Sequence, residues 1–161
     1  MIERINQVLG APRPFKAVSL TQPWASLVQR RAKRCETRSW YTSYRGPLVI
    51  HAAKGYPAWA REFAGEPYTQ HALGGLDPET LPRGVGLCVV TLIACVKTTE
   101  LYKLRKIGFD LASNEITFGN YVDGRWVWAL EHQYDFVEPI PATGSLGLWN
   151  WPHEQYQAVS A

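Results

Sequence analysis

Residues 16–54, KAVSLTQPWASLVQRRAKRCETRSWYTSYRGPLVIHAAK, decide how the chain is read. Residues 16–20 are short and alternate apolar with polar, which predicts a strand. Thr21 suits a helix N-cap, and Pro23 is tolerated in a first turn, where its missing N–H leaves no bond unmade. Trp24, Leu27 and Val28 then fall at i, i+3 and i+4, which makes one apolar helix face. Arg30, Arg31, Lys33 and Arg34 follow at the C-terminal end, where the backbone dipole favours cations. Next, Cys35, Thr37 and Ser39 alternate with Glu36, Arg38 and Trp40. A strand sends these two sets to opposite faces, so Glu36, Arg38 and Trp40 are expected together, close to Lys33. Residues 44–47 read as a turn and 48–52 as another strand.

Outward from this stretch, the 161 residues form one domain by length and can bury a core without staples. Residues 1–15 read as an N-terminal arm, a short helical piece followed by an extended linker with Pro12 and Pro14. Residues 57–63 have helical propensity, with Trp59 and Phe63 expected to pack inward; residues 65–83 read as a surface insertion with one helical turn near 77–81. The most apolar run, 84–96, is β-branched and bounded by glycine, which predicts a long buried strand. Residues 98–104 read as a short helix or turn, and Asp123–Gly124 is a hairpin signal. Residues 125–136 alternate, with Trp126, Trp128, Leu130, His132 and Tyr134 on one bulky face, until Pro139 and Pro141 break the strand. Residues 144–149 close the set. Five to six strands with short helices and no βαβαβ rhythm predict an α+β fold, a partly closed β-barrel with helices on its rim.

Charge is distributed unevenly. Residues 1–61 carry 11 basic against 2 acidic residues, net +9, and residues 62–161 carry 6 against 12, net −6. This predicts a basic surface built by the first third, fit for phosphates, or a simple neutralisation of one third by another across the fold. No apolar run reaches the roughly 18 residues of a membrane span, and the N-terminus lacks a leader pattern. The odd count of three cysteines, with Cys88 and Cys95 in the apolar run, fits buried thiols and a cytoplasmic setting. No cluster has metal-ligand spacing and no glycine-rich loop precedes a helix, so no cofactor is expected.

The segments QPWASLV, KRCETRSWYT and YRGPLVIHAAK, with WVWAL and GSLGLW later, resemble the ASCH domain (activating signal cointegrator homology), a relative of the PUA fold. The resemblance implies a β-barrel with a cleft between barrel and helices, and a nucleic-acid-related role. It also implies that relatives include small ribonucleases and amidohydrolases of N4-acetylcytidine. Lys33, Glu36 and Arg38 match the family's K-x-x-E/T-x-R signature, and Arg45–Gly46 its following turn. Arg31 stands where the family commonly has glycine; a left-handed helix end there would cost an arginine up to ~1 kcal/mol. The amidohydrolases resemble K-x-x-T, and Glu36 occupies their threonine position.

Nucleic-acid-binding candidates are therefore Arg31, Lys33, Glu36, Arg38, Trp40, Arg45 and Lys54. Their partner would be RNA or DNA, single-stranded in preference, or a nucleotide. Arg38, Arg45 and Lys33 would neutralise phosphates, Trp40 would stack on a base, and Glu36 would accept from a base edge and confer base preference. Catalytic candidates are Lys33 and Glu36, as charge stabiliser and general base of a metal-independent ribonuclease or nucleoside hydrolase. The same charges are also read as a structural salt bridge, and His51 as a buried strand histidine. A transcription-coactivator-like interaction module is a third reading, which predicts an exposed apolar patch instead of a basic cleft.

Overall fold

The computed structural model describes residues 10–11 and 13–153. Most of the expected N-terminal arm therefore lies outside the described residues. Strands are β1 Lys16–Leu20, β2 Cys35–Arg38, β3 Gly46–Ala52, β4 Val85–Lys97, β5 Trp126–Pro141 and β6 Leu148–Asn150. Helices are α1 Trp24–Gln29, α2 Ala58–Gly65, α3 Pro67–Leu73 and α4 Tyr102–Lys106, with 3-10 turns at Pro78–Thr80 and Thr98–Glu100. The six strands form one mixed sheet in the order β2-β5-β4-β3-β1-β6. β1 and β3 run parallel, and β3–β4, β4–β5, β2–β5 and β1–β6 run antiparallel.

The predicted barrel is not closed. β2 spans 4 residues and β6 only 3, too little edge for a ladder between them. A side chain bridges the gap instead: Arg38 on β2 donates through Nη2 to the Ser19 carbonyl of β1 at 3.1 Å. The opening left there holds the cavity described below.

α1 begins without a side-chain cap from Thr21. Gln22 takes that role from a buried position: its Oε1 accepts from the Ser26 amide at 3.1 Å, and its Nε2 donates to Ser26 Oγ at 2.8 Å and to the Pro82 carbonyl at 2.7 Å. The last bond ties α1 to the segment before β4. One face of the sheet packs Val18, Ile50, Cys88, Val90, Trp128 and Leu130 against Ala25 and Val28 of α1. The other buries Phe15, Val49, Val89, Tyr134, Phe136 and Trp151. Within 66–81, Leu73 and Leu81 are buried with Leu27 and Phe118, so this segment contributes core as well as surface.

Three expectations about β5 need correction. Pro139 and Pro141 do not end it. Past Ala129 the strand loses β2 as a neighbour, and an open edge leaves no ladder bond for proline to break. Asp123–Gly124 turns the chain into β5 but joins no two strands, because 107–122 holds none. Lastly, the alternation slips. The β4–β5 register shifts between Val89 and Val90, so Tyr134 pairs with Val89 while His132 pairs with Val90. Gln133 is the extra residue of this bulge, and after it Tyr134 moves to the opposite core face from Leu130.

Candidate functional site

β2 is short and polar, and its position rests on buried charge. The backbone leaves α1 with Arg31 in the left-handed region (φ 64), and the Ala32 and Lys33 amides both donate to the Leu27 carbonyl at 3.0 Å. That reversal drives Lys33 inward, where it is 1 % exposed. Its Nζ donates to the Cys35 carbonyl and lies 3.4 Å from Glu36 Oε1. Glu36, 12 % exposed, also accepts from the Thr37 amide at 2.9 Å and lies 3.4 Å from Arg38 Nη2 through Oε2. Burial pushes the Glu36 carboxyl up, but the Lys33 ammonium, the Arg38 guanidinium and the Thr37 amide outweigh it and hold the group below its ordinary range. Glu36 is thus a fixed anion with two cations, and Lys33, Glu36 and Arg38 stand together as the spacing predicts.

The free edge of β2 is covered by the connector between β4 and β5. Glu115, 1 % exposed, accepts from the Arg34 amide and, at 3.1 Å, from the Cys35 amide. Asn120 donates its amide to Thr37 Oγ1 at 3.1 Å, and Arg125 donates to the Thr37 carbonyl at 3.0 Å. Burial raises the Glu115 carboxyl above its ordinary value, although the two amides and Lys33 pull the other way. Burial likewise pushes the Cys35 thiol up to about 12, so that thiol stays protonated and inert near neutrality.

Between β2, the free end of β1 and helices α1 and α2 lies a cavity of about 540 Å3. Glu36, Thr37 and Arg38 line one side. Trp24, Trp59 and Phe63 line the other, with Phe118, Asn120 and Arg125 at its margin. The aromatic side is ordered by its own contacts: Trp24 stacks on Phe63 (5.1 Å, 9°) and lies 5.6 Å from Trp59. Trp59 does not pack inward as the sequence predicts; it is 61 % exposed. The buried face of α2 is Ala60 and Ala64, four apart, which leaves Trp59 to point elsewhere.

Other candidates stand apart from this cavity. Trp40 lies beyond β2, half-buried, and packs edge-on to Trp128 at 4.9 Å, against the core. Arg45 is exposed but donates to the Thr42 carbonyl at 2.9 Å and the Tyr44 carbonyl at 2.7 Å. Lys54 is exposed just past the C-terminal end of β3 and is not among the residues that line the cavity. Arg31 lines a different cavity, with Arg30 and Asp135. His51 is buried, its Nε2 bonded to the Ala142 carbonyl at 2.9 Å and its Nδ1 to Ser19 Oγ at 3.0 Å. Since a carbonyl only accepts, Nε2 carries the proton and Nδ1 accepts from the serine. Burial lowers the basicity of the imidazole, against the Ala142 carbonyl. Sequence reasoning missed Trp59, Glu115, Asn120 and Arg125; for the last three, nothing in the local pattern marks them.

An open α+β sheet of six strands with short helices defines the class. Residues 18–140 match the model of the ASCH domain. The chain belongs to the ASCH domain family. It is 32 % identical over 145 residues to activating signal cointegrator 1 of Homo sapiens and, equally, of Mus musculus, covering 88 % of this chain. It spans 23 % of the length of those relatives. The crystal structure of ASCH from Zymomonas mobilis aligns with a TM-score of 0.50 at 13 % identity, over 89 % of this chain and 91 % of that one. A serine-to-alanine mutant of that protein aligns with the same TM-score of 0.50 at 14 % identity, over 88 % of this chain and 91 % of the mutant. These structures are similar in fold.

Proposed function

We propose that this ASCH domain binds nucleic acid by taking one unpaired base, or a free nucleotide, into the cavity between β2 and helices α1 and α2. The observation that carries the reading is the two-sided lining, an aromatic wall facing the Glu36–Arg38 pair across about 540 Å3, a size that suits a single small ligand. Trp59 is the exposed ring at the mouth, backed by Trp24, and base stacking is worth ~1–3 kcal/mol. Glu36, held ionised, accepts from an exocyclic amine. Arg38 and Arg125 supply positive charge for phosphate beside it. Membership of the ASCH family supports a nucleic-acid-related role. Arg31, Arg45 and Lys54 lie outside the cleft and add to the long-range field that attracts a polyanion.

The same geometry favours binding over proton transfer. A carboxylate held below its ordinary range is a weak general base at neutral pH. Lys33 has its ammonium turned to the Cys35 carbonyl and Glu36 and is almost wholly buried.

The test is fluorescence anisotropy with labelled single-stranded RNA, single-stranded DNA and duplex DNA at two salt concentrations, with each sample run on a gel afterwards. Single strands should bind more tightly than duplex and remain intact, and Trp59→Ala should weaken binding by about tenfold or more. Arg45→Ala should reduce the salt slope by about 1 without changing base preference. Cleaved RNA, or binding indifferent to Trp59→Ala, would overturn the reading.

A further inference from the structure

The bulge in β5 assembles a second group of side chains, on the far side of α1 from the cleft. In a regular strand His132 and Asp135, three apart, would face opposite ways. The extra residue at Gln133 cancels that, and the His132 Nε2 comes to 2.9 Å from Asp135 Oδ1. Asp135 also sits directly opposite Cys88 of β4. As a result, one ligand atom each of Cys88, His132 and Asp135 lie within 4.8 Å of one another. Cys88 is wholly buried and the His132 side chain is 9 % exposed, whereas Asp135 is 38 % exposed. Asp135 lines a cavity of about 400 Å3, together with Ser26, Gln29, Arg30 and Arg31.

We propose that Cys88, His132 and Asp135 form a site for a divalent transition metal of the zinc type. A sulfur, an imidazole nitrogen and a carboxylate oxygen are the donor set that zinc takes, and one that magnesium or calcium, which prefer all-oxygen shells, would not. Three such ligands leave the fourth position of a tetrahedron to water or a small anion, which the cavity beside Asp135 can admit. Charge balances as well: a thiolate and a carboxylate match a doubly charged ion, and the imidazole stays neutral. Binding replaces the thiol S–H bond by an S–metal bond and releases that proton to solvent. The complete burial of Cys88 argues against the competing use of the same three residues, as nucleophile, base and orienting acid. A nucleophile must meet its substrate, while a metal ligand need only meet the ion.

The bulge is what makes this reading specific to the fold. Bulges re-aim side chains and are over-represented beside sites. Here the bulge costs β5 its regular alternation and turns Asp135 onto the face that holds Trp128, Leu130 and Cys88. The sequence separation of 44 between Cys88 and His132 hid the group from any reading by spacing.

The full chain, freed of metal by chelator, is titrated with Co(II) and followed by visible absorption, then with Zn(II) in competition with a chromogenic chelator. One equivalent should bind, with a thiolate-to-cobalt charge-transfer band and tetrahedral ligand-field absorption. Cys88→Ser should abolish the charge-transfer band. Asp135→Asn, which leaves a side chain of the same shape in a part-exposed position, should keep the fold and weaken Zn(II) binding by about 100-fold or more, beyond what loss of an outer partner does. His132→Gln should do the same. No saturable binding overturns the proposal. So does a charge-transfer band that survives Cys88→Ser, since Cys35 and Cys95 remain, or an affinity unmoved by Asp135→Asn. None of these outcomes bears on nucleic-acid binding in the other cleft.

Discussion

At the centre of the sheet, β3 buries Leu48, Val49, Ile50 and Ala52 completely, and its neighbour β4 does the same with Cys88, Val89 and Leu92. At the edge, β2 buries one apolar side chain, Cys35, beside the polar Thr37, and leaves Glu36 and Arg38 part-exposed. The centre is held by apolar area, which is non-directional and spread over many residues. The edge is held by a few polar bonds, each to a named atom: Lys33 to Glu36, Glu115 to two amides, Arg125 to Thr37. The strand lining the cleft is thus stabilised by the same charges that a ligand would meet. Its tolerance to substitution should therefore differ in kind from that of the core.

Lys33→Ala probes this most strongly. It leaves the Glu36 carboxylate, 12 % exposed, without one of its two cations, both at 3.4 Å, and breaking one partner of a buried pair costs about 3–5 kcal/mol. Ile50→Val, in the centre, should cost only about 0.5–1.5 kcal/mol. Urea unfolding of both variants measures the contrast. If Lys33→Ala costs no more than Ile50→Val, the polar edge is not held as described.

Next in size is Glu115→Ala. It orphans the Arg34 and Cys35 amides together, at about 2–3 kcal/mol for buried donors left unmade. Glu115→Gln keeps one acceptor oxygen and should lose about half as much. Amide hydrogen exchange would sharpen the result: Glu115→Ala should speed exchange at Arg34 and Cys35 while leaving β3 protected.

How far the sequence reached follows the same divide. β1, β3, β4 and most of β5 were legible because alternation and apolar runs are local, and Lys33, Glu36 and Arg38 because their spacing is. Four features were not. The sheet's open gap depends on the lengths of two edge strands and on Arg38 reaching Ser19. Trp59 has an apolar neighbour four residues on, Phe63, that suggests inward packing, while Ala60 and Ala64 hold the packed face. Glu115 comes from far along the chain, in a segment of ordinary polar composition. The β5 bulge moves Tyr134 and Asp135 across the sheet, and nothing in the alternation of 125–136 announces it.

A smaller effect separates the two carboxyls at the edge by sign. Glu36 has a depressed folded-state value, so its contribution is complete above the ordinary 4.5 and is lost as pH falls through the folded value. Glu115 has a raised one, led by burial, so its ionisation opposes folding at neutrality and that opposition is relieved on acidification toward 4.5. Each is bounded by about 1.4 kcal/mol per pH unit for one proton. Glu36→Gln should therefore flatten the acid limb of the stability profile, and Glu115→Gln should steepen it. Equal slopes in the two variants would mean that the edge carboxyls do not titrate differently.

The smallest effect is a gain. Arg31 holds φ 64, a conformation that costs a side-chain-bearing residue and costs glycine nothing sterically. Arg31→Gly should add up to ~1 kcal/mol, reduced by the extra freedom glycine gives the unfolded chain. The substitution also removes a charge, so Arg31→Ala is the necessary partner: it loses the guanidinium but keeps the strain. If the two variants differ in favour of glycine, the backbone is the cause, and this turn stores strain where it drives Lys33 beneath the cleft. If they match, any gain comes from relieving the basic cluster of Arg30, Arg31 and Arg34, and the inward turn of Lys33 is secured by its bonds to Cys35 and Glu36 alone.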